Sequence, residues 1–204
     1  MDAHSFLESK SHIFIKQTKE WSEILLNLEN KNRYSLKDKQ GNNIGLFYEK
    51  GDGIFQWIKR TILRSHRPFI VQLLDPEGNI LLSLHRKFFW LFSNLQIRDN
   101  NGNSLGQVHR RFGFIYKKYD LVDMNGQIFG RIKSAIWRLW TFKIYDLSEN
   151  EMAEISKKWG GILSEAFTDS DQFGVSFGSV ETTQKVVLLA AAISIDFDFF
   201  EDNS

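Results

Sequence analysis

Apolar and polar residues alternate along much of the chain, and a polar tetrapeptide interrupts the alternation at regular intervals. Four of these tetrapeptides have the form Asp-x-x-Gly, and each follows a run with apolar residues two positions apart. They are Asp38–Gly41, Asp75–Gly78, Asp99–Gly102 and Asp123–Gly126. A fifth copy, Asp146–Glu149, keeps the aspartate and lacks the glycine. A period of two predicts strands with one buried face.

The tetrapeptide predicts the turn of a β-hairpin. An aspartate carboxylate accepts backbone N–H groups at the start of a turn, and glycine adopts the positive φ at which the chain reverses. The last four aspartates recur every 23 or 24 residues, which leaves room for about two strands and two turns in each repeat. A parallel β-helix is an alternative, but Asp-Gly turns favour antiparallel pairs. A sheet of about ten or more strands tends to curl or close.

Two segments differ from this pattern. The longest apolar run, Val186–Ile195, extends through Asp196 and Asp198 to Phe200 and predicts a helix. About 15 helical residues rise only ~22 Å, whereas a bilayer core of ~30 Å needs about 20 apolar residues, so we expect a helix buried in the protein core. Near the N-terminus, Ile13–Ile15 predict a strand and Trp21–Leu28 predict a short amphipathic helix on the exterior.

Composition narrows the classes of function. The 26 Lys+Arg against 25 Asp+Glu leave a net charge of +1, so a polyanionic partner has to be met by a local patch. The absence of cysteine excludes disulfides, thiolate metal sites and palmitoylation. The first residues lack the features of a secretory signal. We expect a cytoplasmic, peripherally membrane-associated protein with one domain over residues 1–204, in which about residues 1–12 and 202–204 are flexible ends.

A local patch is predicted where basic and bulky apolar residues mix, in segments 86–92 and 131–140. The candidate lipid- or anion-binding cations are Arg86, Lys87, Arg110, Arg111, Lys117, Lys118, Arg131, Lys133 and Arg138. With neighbouring aromatics they suit anionic headgroups at a phospholipid membrane surface. They also suit single-stranded nucleic acid, through stacking and phosphate contacts. In a third interpretation the alternate aromatics fill the interior while the cations face water.

Catalytic motifs are weak. Gly174–Gly178 has the Gly-x-Ser-x-Gly form of a nucleophile elbow, but the acid and histidine of that motif follow the serine, and the last histidine is His109. The five histidines have no metal-binding spacing. We therefore expect a protein that is not an enzyme.

Four stretches together resemble the phospholipid scramblase family, in the same order from about residue 13 to residue 201. They are Glu29–Lys37, Arg67–Phe69, Ile155–Gly174 and Ile193–Glu201. The resemblance implies a tubby-like fold, so the fold class we expect is mainly β: a closed antiparallel barrel of about 12 strands around the C-terminal apolar helix. The central-helix residues are then Val186, Leu189, Ala190, Ile193 and Phe197.

The resemblance also implies a Ca²⁺-responsive protein associated with movement of phospholipids between leaflets. The segment corresponding to the family's proposed calcium loop is Asp169–Val180, in which Asp169 and Asp171 offer oxygen ligands. Positions five, nine and twelve, where such a loop needs oxygens, hold Phe173, Phe177 and Val180. We expect weak or absent calcium binding. The alternative function is a soluble tubby-like module that binds anionic headgroups or nucleic acid without transport.

Overall fold

The computed structural model describes residues 1–18, 33–50, 66, 68–90, 92–135, 141–156 and 172–199. Within these ranges the chain forms two helices and a closed antiparallel barrel. The helices are α1 (Ala3–Glu8) and α2 (Thr182–Phe199). The strands are β1 (His12–Gln17), β2 (Arg33–Lys37), β3 (Asn43–Glu49), β4 (Phe69–Leu74), β5 (Ile80–Arg86), β6 (Asn94–Arg98), β7 (Ser104–Arg111), β8 (Tyr116–Val122), β9 (Ile128–Ala135), β10 (Thr141–Asp146), β11 (Glu151–Ser156) and β12 (Gln172–Ser176).

Each strand pairs with its neighbours in chain order, and β1 closes the barrel by pairing with β12. The predicted fold class, a mainly β closed barrel of about 12 strands with a C-terminal helix, is confirmed. The predicted strand at Ile13–Ile15 is confirmed within β1. The predicted helix at Trp21–Leu28 lies outside the described residues.

The five predicted turns all form, and Asp99–Asn103 shows how. The Asp99 carboxylate oxygen Oδ1 accepts the N–H groups of Asn101 and Asn103, both at 2.8 Å. The N–H of Gly102 donates to the Asp99 carbonyl at 3.1 Å, and Gly102 has φ 86°. The last turn keeps this pattern around Asp146 but puts Glu149, a non-glycine residue, at φ 64°.

These turns define the two ends of the barrel. Because neighbouring strands are antiparallel and consecutive, their connections alternate between the ends. The five Asp turns join β2 to β3, β4 to β5, β6 to β7, β8 to β9 and β10 to β11, so they share one end, called here the turn end. The opposite end, called the loop end, carries the β5–β6 and β7–β8 connections.

Helix α2 occupies the interior. It follows β12, which runs towards the turn end, so α2 enters there and its C-terminal residues lie at the loop end. Residues 186–198 are all buried, which explains why this helix is apolar on every face. The five residues expected in the central helix, Val186, Leu189, Ala190, Ile193 and Phe197, are at most 1% exposed.

Helix α1 covers the turn end, where the sequence suggested a flexible segment over residues 1–12. Asp2 caps the helix by accepting the N–H of Ser5 at 2.8 Å, and Phe6 and Leu7 are buried. The Lys185 ammonium, at the start of α2, donates to the carbonyls of Leu7, Glu8 and Lys10 at 2.8–3.2 Å. These contacts join α1 and the residues that follow it to the start of α2.

Candidate functional site

Exposed aromatic side chains project from the loop end. In the β5–β6 connection Trp90 is 82% exposed, and in the β7–β8 connection Phe114 is 84% exposed. Phe88 stacks edge-on against Trp90 at 5.4 Å between ring centroids, and Phe112 does the same with Phe114 at 4.9 Å. Large apolar groups held in water in this way are typical of surfaces that meet another apolar phase or partner.

Cations surround these aromatic tips in two groups, which the alternation of the strands separates. Arg110 and Lys117 lie on the inward-facing side of β7 and β8, in line with buried Val108 and Tyr119. Arg111 and Lys118 point outward from the same strands, and Lys133 points outward from β9. Arg110 and Lys117 therefore line the opening of the barrel at the loop end, called here the mouth. Arg111, Lys118 and Lys133 lie on the outer wall.

Two carboxylates near the C-terminus of α2 bind side chains of the barrel strands at the mouth. Asp198 accepts the Arg86 guanidinium and the Tyr119 hydroxyl, both at 2.8 Å, and both side chains of the Arg86–Asp198 ion pair are fully buried. Asp196 accepts the Tyr34 hydroxyl at 2.7 Å. A negative charge at the C-terminus of a helix interacts unfavourably with the helix dipole, and a buried charge is costly unless it has a partner. The hydrogen bonds and the ion pair to these two carboxylates offset both costs.

Among the described residues, two further cations lie at the mouth beside the Arg86–Asp198 pair. Arg110 Nη1 lies 3.7 Å from Asp198 Oδ2, and the Lys117 ammonium lies 5.4 Å from the centre of the Phe142 ring. Burial, together with the charge of Arg110, lowers the pKa of Lys117 to about 8. Burial and the neighbouring Asp198 raise the pKa of Tyr119 well above its ordinary value, so its hydroxyl remains a donor.

A cleft of about 730 Å³ opens on the outer wall of β4–β6 at the loop end. Its cationic lining residues include Lys50, Lys87 and Arg98, and its aromatic lining residues include Phe88 and Phe92. Burial lowers the pKa of His85, which also lines the cleft, and the charge of Arg98 lowers it further. Neutral imidazole is thus favoured, and the positive charge of the cleft comes from lysine and arginine.

The cations predicted from the sequence to bind lipid or anions do not form one surface patch in the structure. Arg86 does not face solvent: it lies inside the barrel, paired with Asp198 and with its guanidinium 4.2 Å from the centre of the Phe69 ring. The interpretation in which aromatics fill the interior and cations face water holds in segment 86–92 only for Phe89, which is buried, and Lys87, which is exposed. It is wrong for the rest of the described segment, where Arg86 is buried and the aromatic side chains of Phe88, Trp90 and Phe92 are exposed. Arg131 is exposed and lies 3.6 Å from Asp120. Arg138 lies outside the described residues.

The predicted calcium ligands Asp169 and Asp171 also lie outside the described residues. The middle of that segment, Gln172–Ser176, forms strand β12, whose Phe173 and Val175 pair with β1 and face the core. Phe177 is fully buried as well. Within the described ranges, no three histidine, aspartate or glutamate side chains gather as they would to hold a metal ion.

Ser176, the serine of the Gly-x-Ser-x-Gly match, is the last residue of β12 and pairs in register with both His12 and Glu154. A nucleophile elbow instead places its serine on a sharp turn between strand and helix. Here residues 177–181 separate the strand from α2.

The sequence interpretation missed the polar network at the mouth. It places Asp196 and Asp198 at the end of the apolar helix without naming a partner for either, although a buried acid almost always has one. A signal was present, because Leu82, Leu84 and Arg86 continue one period-two run and therefore face the same side of β5. Pairing the inward arginine with an acid on the apolar helix would have found the ion pair.

No helix in the described ranges combines the length and apolar character needed to cross a bilayer.

Comparisons with known proteins give the relatives of this chain. Altered inheritance rate of mitochondria protein 25 of Saccharomyces cerevisiae is 28% identical over 94% of this chain and 71% of its own length. A phospholipid scramblase family protein of Schizosaccharomyces pombe is 24% identical over 95% and 60%. Phospholipid scramblase 1 of Rattus norvegicus is 27% identical over 96% and 62%. The chain thus spans less than two thirds of the length of the last two relatives.

A solved structure of a protein from Arabidopsis thaliana is 13% identical and covers 91% of both chains with a TM-score of 0.49, a likeness too weak to carry an argument. The model of the Scramblase family matches residues 2–202. This match over almost the whole sequence shows that the chain belongs to the Scramblase family.

Proposed function

We propose that this protein associates peripherally with phospholipid membranes through its loop end and takes part in the movement of phospholipids between leaflets. The observation that carries the proposal is the set of exposed aromatic tips at that end, with Trp90 and Phe114 more than four-fifths exposed. Aromatic side chains favour the interface of a membrane, and neighbouring lysine and arginine attract anionic lipids.

The relatives support the lipid half of this proposal, since two of them bear the name phospholipid scramblase. The asymmetry of the barrel supports the orientation. Among the described residues, the exposed large apolar side chains at the turn end are Met124 and Leu147, one in each of two separate turns, and Met1, just before α1, whereas the loop end presents two stacked aromatic pairs.

Binding to sedimented vesicles tests the association. Replacing Trp90 and Phe114 with serine should lower partitioning onto vesicles containing anionic lipid by at least about tenfold, because each buried aromatic contributes on the order of 1.5–3 kcal/mol and 1.4 kcal/mol is a factor of ten. The matched control replaces Met124 and Leu147 with serine, which removes two exposed apolar groups at the turn end. Equal loss in both double variants would contradict the proposed orientation.

Reconstitution into liposomes with a fluorescent lipid tests the movement of lipids. Bleaching of the inner-leaflet probe by external dithionite, above the protein-free level, is the expected result, and we expect it to change little between added Ca²⁺ and chelator because positions five and nine of the calcium segment are buried phenylalanines. Absence of bleaching in both conditions would end the transport proposal for this chain.

A second function, headgroup binding without transport, has its own supporting observation. The interior of the barrel is filled by α2, whose residues 186–198 are buried, so the barrel interior offers a lipid no path. Vesicle binding that persists while no probe is bleached would select this second function.

A further inference from the structure

Three cations stand side by side across three neighbouring strands on the outer wall of the loop end. The register pairs Arg111 of β7 with Lys118 of β8, and Lys118 with Lys133 of β9. All three are exposed. We call Arg111, Lys118 and Lys133 the cationic row.

Nearby acid neutralises only part of this charge. Asp120, one row further along, lies 3.3 Å from Arg111 and 3.6 Å from Arg131, so the two arginines share it. Among the residues that the structure describes, no acid forms an ion pair with Lys118 or Lys133. The Lys133 ammonium lies 4.9 Å from the centre of the Tyr116 ring, a contact that adds no negative charge.

Directly opposed like charges destabilise an antiparallel sheet. Natural proteins break such local rules mainly at functional sites and offset the cost elsewhere. An anion bound between Lys118 and Lys133 would attract both ammonium groups and so offset the repulsion between them. The row also lies beside the exposed Phe112 and Phe114, at the end that the proposed function places on the membrane.

The spacing of the row favours a particular anion. Neighbouring strands lie ~4.8 Å apart, so adjacent ammonium groups can share one phosphate group between them. A phosphomonoester carries about −1.5 to −2 charge at neutral pH and three strong acceptor oxygens. The monoanionic phosphodiester of an ordinary phospholipid carries about half that charge. Arg111 can add a planar pair of donors to the same group.

We propose that the cationic row is a binding site for a terminal phosphomonoester, as carried by phosphatidic acid or a phosphorylated headgroup. This inference rests on the proposed function for its membrane context, and it adds the chemical class of lipid that is recognised. It also makes the outer wall of β7–β9, and not only the aromatic tips, part of the contact.

The experiment compares vesicles of phosphatidylcholine with phosphatidic acid against vesicles with phosphatidylserine, matched in total charge. The wild-type chain should bind the phosphatidic acid vesicles at least about fivefold more tightly, and the Lys118→Gln/Lys133→Gln variant should lose this preference. The matched control, Lys37→Gln/Lys39→Gln, removes the same charge near the turn end and should keep it. Thermal unfolding of each variant establishes that it is folded.

The outcomes separate the two proposals. Tight binding with no preference for phosphatidic acid, or a preference that survives in the Lys118→Gln/Lys133→Gln variant, overturns the site while leaving membrane association intact. Soluble dihexanoyl phosphatidic acid tests the site without a bilayer. If the protein binds this lipid through Lys118 and Lys133 but does not bind vesicles, the result supports the site and rejects the membrane context. Competition by glycerol 3-phosphate would identify the free phosphate group, without acyl chains, as a sufficient ligand.

Discussion

At the scale of single residues, charge placement at the mouth of the barrel decides how α2 is held. The Arg86–Asp198 ion pair is fully buried, and Tyr119 donates a further hydrogen bond to the same carboxylate. Removing one member of a buried pair leaves the other charged and desolvated, which is the most damaging way to break such a pair.

Replacing Asp198 with alanine should therefore lower the free energy of unfolding by about 3–5 kcal/mol. Urea denaturation of the wild-type and variant chains measures this change. Glu151→Gln is the control, because the Lys143–Glu151 ion pair is largely exposed and should contribute far less. A variant at Asp198 as stable as the control would mean that the ion pair does not hold the helix.

Lys117 gives the stability a dependence on pH. Its pKa of about 8 in the folded chain lies below the ordinary value of 10.5, so between these values the unfolded chain binds more protons than the folded one. Stability then rises with pH across this window. Below pH 8 the lysine is charged in both states, and the full cost of burying the charge is present.

Replacing Lys117 with methionine should thus stabilise the protein at pH 7, and the advantage should shrink as the pH approaches 10. The urea midpoints of both chains are compared at each pH. Because the tyrosines titrate in both chains, their effect on stability cancels in the difference. A difference that is constant with pH would show that the Lys117 ammonium is charged with equal ease in the folded and unfolded chains.

At the scale of elements, the repeated turn explains why the hairpins form where they do. Asn150 donates to the Asp146 carboxylate from both its side-chain amide and its backbone N–H. These two hydrogen bonds lower the pKa of Asp146, the side-chain bond having the larger effect, and Asn103 lowers the pKa of Asp99 in the same way. The fifth turn departs from the others only at its left-handed position, which Glu149 occupies with φ 64°. A side chain in this conformation costs on the order of 1–2 kcal/mol.

Glu149→Gly should accordingly raise the free energy of unfolding by about 1 kcal/mol. The reciprocal change, Gly102→Ala, should lower it by a similar amount, because a Cβ there has open space around it and only the backbone conformation matters. Chemical denaturation tests both variants. Changes of the same sign in the two would contradict the account of the turn.

A close contact between helix and sheet sets another limit. A Cβ added to Gly106 of β7 would lie 2.5 Å from Val187 Cγ2 and 2.7 Å from the Val122 carbonyl oxygen. The position therefore admits no larger residue without a shift of α2 or β8. Glycine is required here by the close approach of α2 and β8 and also by the positive φ of 142° at this position.

The central position of α2 leads to a further prediction. Leu189 is fully buried inside the barrel, so Leu189→Lys places an unpaired charge where no water reaches it. The variant should fail to give soluble folded protein, while Leu189→Met should fold because it nearly conserves volume. Soluble expression and circular dichroism check both. A folded and equally stable lysine variant would contradict the central-helix arrangement.

At the scale of the whole molecule, the hairpin turns and the buried helix follow from local patterns, whereas the closed barrel around that helix was implied by the resemblance to the scramblase family. The partners of charged side chains at strand ends did not follow from local patterns. Arginine is usually exposed, so Arg86 was expected on the surface. Its alternation with Leu82 and Leu84 points inward, but the acid that compensates its buried charge lies 112 residues away along the chain. The register that opposes Lys118 to Lys133 is likewise a product of strand pairing.

Orientation on the membrane is the central claim, and the absence of cysteine from the chain makes a direct measurement possible. Single cysteines at Ile115 and Met124, which are 52% and 56% exposed at opposite ends of the barrel, would carry nitroxide labels for spin-resonance depth measurements on vesicle-bound protein. The account predicts that the label at Ile115 gains access to oxygen and is shielded from a water-soluble relaxation agent, while the label at Met124 remains in water. A buried label at Met124, or two labels that both stay in water on bound protein, would contradict it.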